Sequence, residues 1–479
     1  MPSEGYSNCG RKFTWYKPNG TTRSRLDRAI VSDEWLLQWP GSKQYVLSRQ
    51  VSDHYALVVK NSIVDWGPKP FRSFDVWHQY EGFREDVKEA WDNTPVRGNV
   101  LEDIKNKFKK VKCEIKQWYS VVNSSVRMKK KELVAQIEEL DNCDDEDDLC
   151  EEEIILRGDL LSQLRRLEEK EEAMLKQKSR VEWIKNGDSN SKFFHSKLRW
   201  RRGRNDLVGI RIDGSWCEDP ISVKSQVKQF FGRRFEAPLE CKLRLDGVNF
   251  STISECENAM LCGIFTEEEV LEAVSQCGSS KCPGPDGFNF LFIKNNWEII
   301  GKDVVKAILF FQSSGYLPRG CNASFITLVP KKANPSELNE YRPISLVGCI
   351  YKILSKVLAN RLSKVLPSVI DVNQFAFLEG RGLLDNVLVA NETVDFLKRE
   401  KKSGVLVKVD FGKAYNSVNW KFLYYMLDRL GFSPIWIKWI KACLESASVS
   451  VLVNGSPTEE FKPKRGLRHG IRWRLSSFL

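Results

Sequence analysis

The segment VLVKVDFGKAYNSVNW, residues 405–420, decides the fold. Its first six residues alternate through branched apolar side chains and end on Asp410, the pattern of a buried strand that delivers a carboxylate to the carboxyl edge of a sheet, where metals and phosphates collect. A hard cation such as Mg2+ takes carboxylate oxygens and bridges to a triphosphate. The plainer reading of an acid after a strand is a helix cap, and on these residues alone both stand. Tyr415 follows five residues on, and Leu423, Met426, Leu427 and Leu430 then mark one face of a helix.

Working outward, ITLVPKKANPSELNEYRPISL sets Lys331 and Arg342 on either side of a short loop, a suitable clamp for phosphate oxygens. Downstream, KRGLRHG supplies Arg465 and Arg468 with His469, and a pair of turn glycines. Upstream, TEEEVLEAV predicts a helix with a Thr266 cap and an acidic first turn, and SSKCPGPDGFN is dense in Pro and Gly and predicts a loop.

In this order, KCPGPDGFNFLFIKNNW, YRPISL, QFAFLEGRGLLDNVLVANE, DFGKAY and RGLRHG resemble the finger and palm motifs of reverse transcriptases from LINE-type, non-LTR retrotransposons, plant members included. The resemblance implies RNA-directed DNA synthesis from dNTPs on an RNA template and a DNA primer. It implies that Asp410 is a ligand of catalytic Mg2+ and that Phe411 lends a backbone carbonyl. Tyr415 would crowd the sugar 2′ position, with Lys331 and Arg342 near the triphosphate. His469 and Gly470 occupy the place of the family's Gln-Gly, beside template and nucleotide. Such chemistry needs positioning and charge neutralisation rather than a covalent intermediate.

At the other end, SRLDRAIVS and SDHYALVV resemble the last segments of the apurinic-endonuclease-like nuclease found upstream in these elements. There His54 would take a proton from water, Asp27 would orient it, and Asp53 would sit near metal and phosphate. Without that resemblance a Ser-Asp-His sequence is an ordinary surface turn. Three runs, KFTWY, RLDRAIV and HYALVVKNSIV, carry the composition of strands.

Between the two ends, Ile104, Phe108, Val111, Ile115, Trp118 and Val122 recur at spacings of four and three, as do Leu156, Leu160, Leu164, Leu167 and Met174. The acidic stretch DNCDDEDDLCEEE between them predicts the turn of a helical hairpin, either a charged spacer arm or a coiled coil open to self-association. GPKPFRSFDVW and VEWIKNGDSNSKFFHSKLRWRRGRNDLVGI resemble the linker of the same elements. Arg199, Arg201, Arg202 and Arg204 around Trp200 either track a nucleic-acid backbone or form solvated surface charge.

Composition narrows the class. The net charge of +11 agrees with a polyanionic partner. Thirteen cysteines without a Cys-x-x-Cys pair predict no disulfide framework, and four scattered histidines predict no zinc knuckle. No apolar run is long enough for a membrane span and no signal peptide is evident, which predicts an intracellular protein, nuclear by resemblance.

Two departures from the family bear on activity. Asn416 stands where Asp is common, and the sequence contains no Tyr-x-Asp-Asp. Two-metal catalysis needs more carboxylates than Asp410 offers, so inactivity is expected. Deleting one G from the Asp codon of the family's Gly-Asp-Pro-Leu-Ala-Pro continuation yields Gly-Ile-Arg-Trp-Arg-Leu, the residues from Gly470 to Leu475, and a frameshift is the expectation there. The expected architecture is therefore α+β and multi-domain. It comprises a nuclease remnant with a partial β-sheet (1–62), a linker (63–100), a helical hairpin or coiled coil (101–185) and a basic linker (186–264). Reverse-transcriptase fingers and an incomplete palm without thumb follow (265–479). A non-catalytic RNA- or DNA-binding module and a coiled-coil interaction protein are the alternatives.

Overall fold

The computed structural model describes the chain apart from residues 1–7, 10–12, 18, 20, 33–34, 36–37, 40, 48–51, 63, 145–149, 180–204, 213–214, 238–243, 333–334, 336, 372–373, 375–381, 406, 408–413 and 468–479. Its architecture is mixed, long helices with small separate sheets, as α+β requires. The chain begins with strands β1 (Asn8–Cys9), β2 (Trp15–Tyr16), β3 (Arg23–Ser24), β4 (Ser42–Val46) and β5 (Leu57–Asn61). β4 lies between β1, parallel to it, and β5, antiparallel; β2 and β3 form a hairpin.

One expected strand is absent. Arg25 to Val31, the RLDRAIV run, is irregular because side chains take the place of a ladder: Thr14 Oγ1 accepts the Asp27 N–H at 2.9 Å and Gln44 Oε1 accepts that of Ala29 at 2.6 Å.

Helices α1 (Phe83–Asp92), α2 (Val100–Asp144) and α3 (Glu151–Ser179) follow. The apolar seam of α2 divides in two. Leu101, Ile104, Phe108, Val111 and Ile115 are buried in the main core with Phe288, Phe311 and Trp91. Beyond it, Leu133 and Ile137 pack on Leu160 of α3 as a small separate cluster. The two helices run antiparallel, since Tyr119 pairs with Met174, Lys130 with Glu168 and Glu171, and Asp141 with Arg157.

Next come β6 (Ile210–Ile212), β7 (Ser215–Cys217) and α4 (Pro220–Arg234). α4 starts where Asp219 accepts the Ser222 N–H and Pro220 takes the first turn. Val223, Val227 and Phe231, four apart, are wholly buried against Ile326, Leu328, Val449, Val451 and Val453. Those residues belong to a four-stranded sheet ordered β11-β10-β8-β9, built from β8 (Ala323–Pro330), β9 (Tyr341–Val347), β10 (Ser448–Val453) and β11 (Ser456–Pro457). Alternate residues of β8 and β10 point under α4, as a pleated strand demands.

The remaining helices are α5 (Glu255–Cys262), α6 (Glu267–Ser275), α7 (Phe290–Asn295), α8 (Trp297–Ser314), α9 (Cys349–Val369), α10 (Leu383–Arg399), α11 (Ala414–Ser417), α12 (Trp420–Arg429) and α13 (Pro434–Glu445). Ser254 and Thr266 close reciprocal capping boxes with Glu257 and Glu269, so α5 and α6 begin where their sequences say. Leu423, Met426 and Leu427 of α12 face the core as their spacing predicts. Of the expected strand before Asp410, Val405 and Val407 are non-strand and 91% and 73% exposed, while residues 406 and 408–413 lie outside the described residues.

The Pro-Gly loop of 279–289 is a junction. A Cβ on Gly284 would fall 2.3 Å from the Val347 carbonyl carbon, so the loop lies directly on the end of β9. Buried Asp286 accepts the Cys349 N–H at 2.5 Å, capping α9 from a distance. From the other side, Ser73 donates to Gly287 O at 2.8 Å, and Asn289 bonds to Ser73 and Asp75. The segment before α1 is thereby fastened to the same body as β9 and α9.

Candidate nucleotide and nucleic-acid site

The β8–β9 hairpin sets the first group of residues. Its register pairs Val329 with Arg342 and Pro330 with Tyr341. Opposed residues share a side, so buried Tyr341 turns toward α4 while Arg342 is exposed with Val329 and Ile344. Lys331 continues the ladder, its N–H donating to Glu340 O at 2.8 Å and its ammonium to Asn339 O at 2.9 Å. Lys332 pairs with Glu340. Lys331 and Arg342 thus stand on one hairpin, and Lys331 is already engaged by a carbonyl. Beside the hairpin end lies an open cleft of about 250 Å3, lined by Glu337, Asn339, Arg211, Gln226 and Phe230.

The second group is the loop 464–467. It is held from two sides. Lys464 N–H donates to Phe235 O at 2.7 Å, and Arg465 Nε to Arg234 O at 2.9 Å, which ties it to the end of α4. Gly466 N–H donates to Val418 O at 2.7 Å, and Trp420 Nε1 to Gly466 O at 2.9 Å, which ties it to the chain after α11. Gly466 is required there twice over: its φ is +83°, and a Cβ would lie 2.6 Å from Asn416 O. The fold therefore brings the RGL sequence against YNSVNW, 46 residues apart between Trp420 and Gly466.

Asp410, Phe411, His469, Gly470, Arg468, Arg199, Arg201, Arg202 and Arg204 lie outside the described residues, and the Tyr415 side chain does also. The Mg2+ expected at Asp410 falls with it. Among the described residues no cluster of three or more His, Cys, Asp or Glu side chains is placed to hold a metal, and no described helix is long and apolar enough to cross a membrane.

At the N-terminal sheet the geometry is explicit. His54 Nδ1 stands 3.0 and 3.1 Å from the two carboxylate oxygens of Asp27. Thr14 organises this contact, holding the Asp27 N–H with its hydroxyl and accepting the Tyr55 N–H at its carbonyl, 2.8 Å. Burial pushes the Asp27 carboxyl up, but hydrogen bonds from His54 and Thr14 outweigh it and leave it below the usual carboxylate range. Asp53 turns elsewhere: the Trp15 indole donates to it at 2.7 Å and holds its pKa down. Trp15 and Thr14 carried no sequence signal beyond lying in a strand-like run. Arg234, in the last turn of α4, carried none at all.

Residues 329–478 match the reverse transcriptase (RNA-dependent DNA polymerase) family. The chain carries a LINE-type, non-LTR reverse-transcriptase region. It is 26% identical over 468 residues to the transposon TX1 uncharacterized 149 kDa protein of Xenopus laevis, covering 94% of this chain and 35% of that protein. It is 28% identical over 281 residues to the RNA-directed DNA polymerase from mobile element jockey of Drosophila funebris, 56% of this chain and 30% of that one. A third relative is the retrovirus-related Pol polyprotein from type-2 retrotransposable element R2DM of Drosophila melanogaster, 24% identical over 206 residues, 43% and 19%. The chain spans about a third or less of the length of each. Within the LINE-type region fall the β8–β9 hairpin from Val329 onward and the whole 464–467 loop.

Proposed function

We propose that these 479 residues bind single-stranded nucleic acid and nucleotide through the fingers of a reverse transcriptase and do not themselves perform synthesis. The observation that carries this reading is the double anchorage of the 464–467 loop to α4 and to the segment after α11, inside the matched residues. Lys331, Arg342 and Arg465 then contribute positive charge, and Asp410 a single metal ligand. Two-metal phosphoryl transfer needs further carboxylates, and the sequence holds no Tyr-x-Asp-Asp to supply them. The Asp27–His54 pair is read as the remnant of a nuclease's general-base arrangement, and the basic run around Trp200 as a contributor to nucleic-acid affinity.

The test is a pair of assays on the full chain. Oligo(U) RNA should bind with an affinity that falls steeply with salt, each neutralised phosphate adding about 0.7 to the slope for a single strand. Primer extension on poly(rA) and oligo(dT) with Mg2+ should show no product. Mg2+-dependent synthesis abolished by Asp410→Ala would overturn the inactive reading, and salt-independent RNA binding would overturn the binding one.

A further inference from the structure

Arg234 ends α4 in a state that stands out among the arginines of the fold. Its Nε and Nη1 are buried and have no hydrogen-bond partner. Its guanidinium lies 5.8 Å from the ring centre of Phe230 and 5.9 Å from that of Phe231, so it is packed against two aromatic faces. Phe231 is wholly buried, which fixes the base from which the side chain extends. Burial lowers the Arg234 pKa, as it must for a cation without a counter-charge.

The neighbours increase the positive charge. Arg465 crosses the end of α4, donating to the Arg234 carbonyl, and Arg233 and Lys464 are exposed beside it. Of the carboxylates shortly before Lys464 in the chain, Glu459 pairs with Lys228 and Glu460 with Arg319. Glu236, two residues on, is exposed. Phe230, beneath the guanidinium, also lines the cleft that runs to Asn339, the residue whose carbonyl holds Lys331. Arg234 is half-buried, with two guanidinium nitrogens buried and unpartnered and only ring contacts in return, the arrangement of a cation available to an external anion.

We propose that Arg234, with Arg465, forms a phosphodiester-binding site at the end of α4, so that a segment preceding the matched residues 329–478 supplies part of the nucleic-acid track. This deepens the nucleic-acid-binding reading above and rests on it. The Arg234 guanidinium supplies positive charge to the phosphate at the end of α4, the two phenylalanine rings hold it there, and Arg465 is pinned in place by the very backbone that carries Arg234.

The experiment measures oligo(U) binding to the full chain by fluorescence anisotropy across a salt series, together with thermal unfolding of the free protein. Arg234→Gln should weaken binding roughly tenfold and reduce the salt slope by about 0.7, equally on oligo(U) and oligo(A), as loss of one backbone phosphate contact. Arg234→Met should leave the unfolding temperature unchanged or raise it, because an unpaired buried charge is removed. Arg234→Lys should recover the slope but not the full affinity. Unchanged affinity and slope in Arg234→Gln, with the wild type binding normally, would overturn the site alone; absence of salt-dependent binding by the wild type would overturn the broader reading with it. Displacement of RNA by millimolar dTTP from the wild type but not from Arg234→Gln would assign the site to a free triphosphate and overturn the phosphodiester assignment. A clear destabilisation by Arg234→Met would show that the arginine serves the fold and would overturn the proposal.

Discussion

Two arginines in two corners of the fold show opposite uses of the same side chain. At the junction of α5, α6 and α9, Arg361 is buried and fully occupied: Nε and Nη2 grip both oxygens of Glu269 at 2.8 and 2.7 Å, and the fork also donates to the carbonyls of Leu261, Gly263 and Ile264. It lies 4.5 Å from the centre of the Phe265 ring. At the end of α4, Arg234 is packed on rings in the same manner but no acceptor meets its Nε or Nη1. One corner is a clasp closing a helix terminus onto its neighbours. The other is a cation waiting for an acceptor. Burial alone does not distinguish a structural arginine from a binding one; the acceptors do.

The largest expected effect belongs to the clasp. Arg361→Ala leaves Glu269 partly buried without its ion-pair partner and takes the guanidinium from the carbonyls of Leu261, Gly263 and Ile264, of which Gly263 keeps the Gln312 amide as a donor, and should cost about 3–5 kcal/mol in urea unfolding. Arg361→Lys should recover only part of this, since an ammonium cannot reach the carboxylate fork and the carbonyls together. If Arg361→Ala proved no more destabilising than Arg234→Met, the contrast between the corners would collapse.

Glycine tests the second corner next. Gly466→Ala places a methyl group 2.6 Å from Asn416 O at a φ of +83°, and should cost about 1–3 kcal/mol by thermal unfolding. Because that glycine lies between Arg465 and the segment after Asp410, RNA affinity should fall with it. Gly232→Ala, which meets nothing within 4 Å inside α4, should be neutral or stabilising and serves as the control.

How much of this was legible follows from the range of each interaction. Local signals carried far: the Thr266 cap, the α12 face and the Pro-Gly loop are written in three to five adjacent residues, and each is where its spacing places it. The order of motifs carried further, to the LINE-type region itself. What stayed hidden depends on residues far apart in sequence. Arg361 reaches carbonyls nearly a hundred residues away, and a carbonyl has no sequence identity. RLDRAIV has the composition of a strand, yet Thr14 and Gln44 side chains claim its backbone. The α2 seam repeats evenly, but its first half packs into the main core and its second on α3, and nothing in the repeat marks the change. His54 and Asp27 were recoverable as a pair only through resemblance, for 27 residues separate them.

The smallest effect separates the corners by pH. Burial pushes the Glu269 carboxyl up, but hydrogen bonds from Arg361 and the Thr266 backbone prevail and hold it below its ordinary 4.5. A carboxylate depressed in the fold contributes stability that is fully present above its unfolded pKa, and that contribution fades as pH falls through the folded one. Glu269→Gln should therefore be less stable than wild type at neutral pH, and the gap should narrow below about 4.5. Arg234 gives no such window, because burial lowers its pKa but a guanidinium stays charged throughout the range in which the protein is handled. Arg234→Met should shift the unfolding temperature by the same small amount at every pH, neutral or upward. A gap for Arg234→Met that closed on acidification would mean that a carboxylate had been its partner all along, and the two corners would then be built alike.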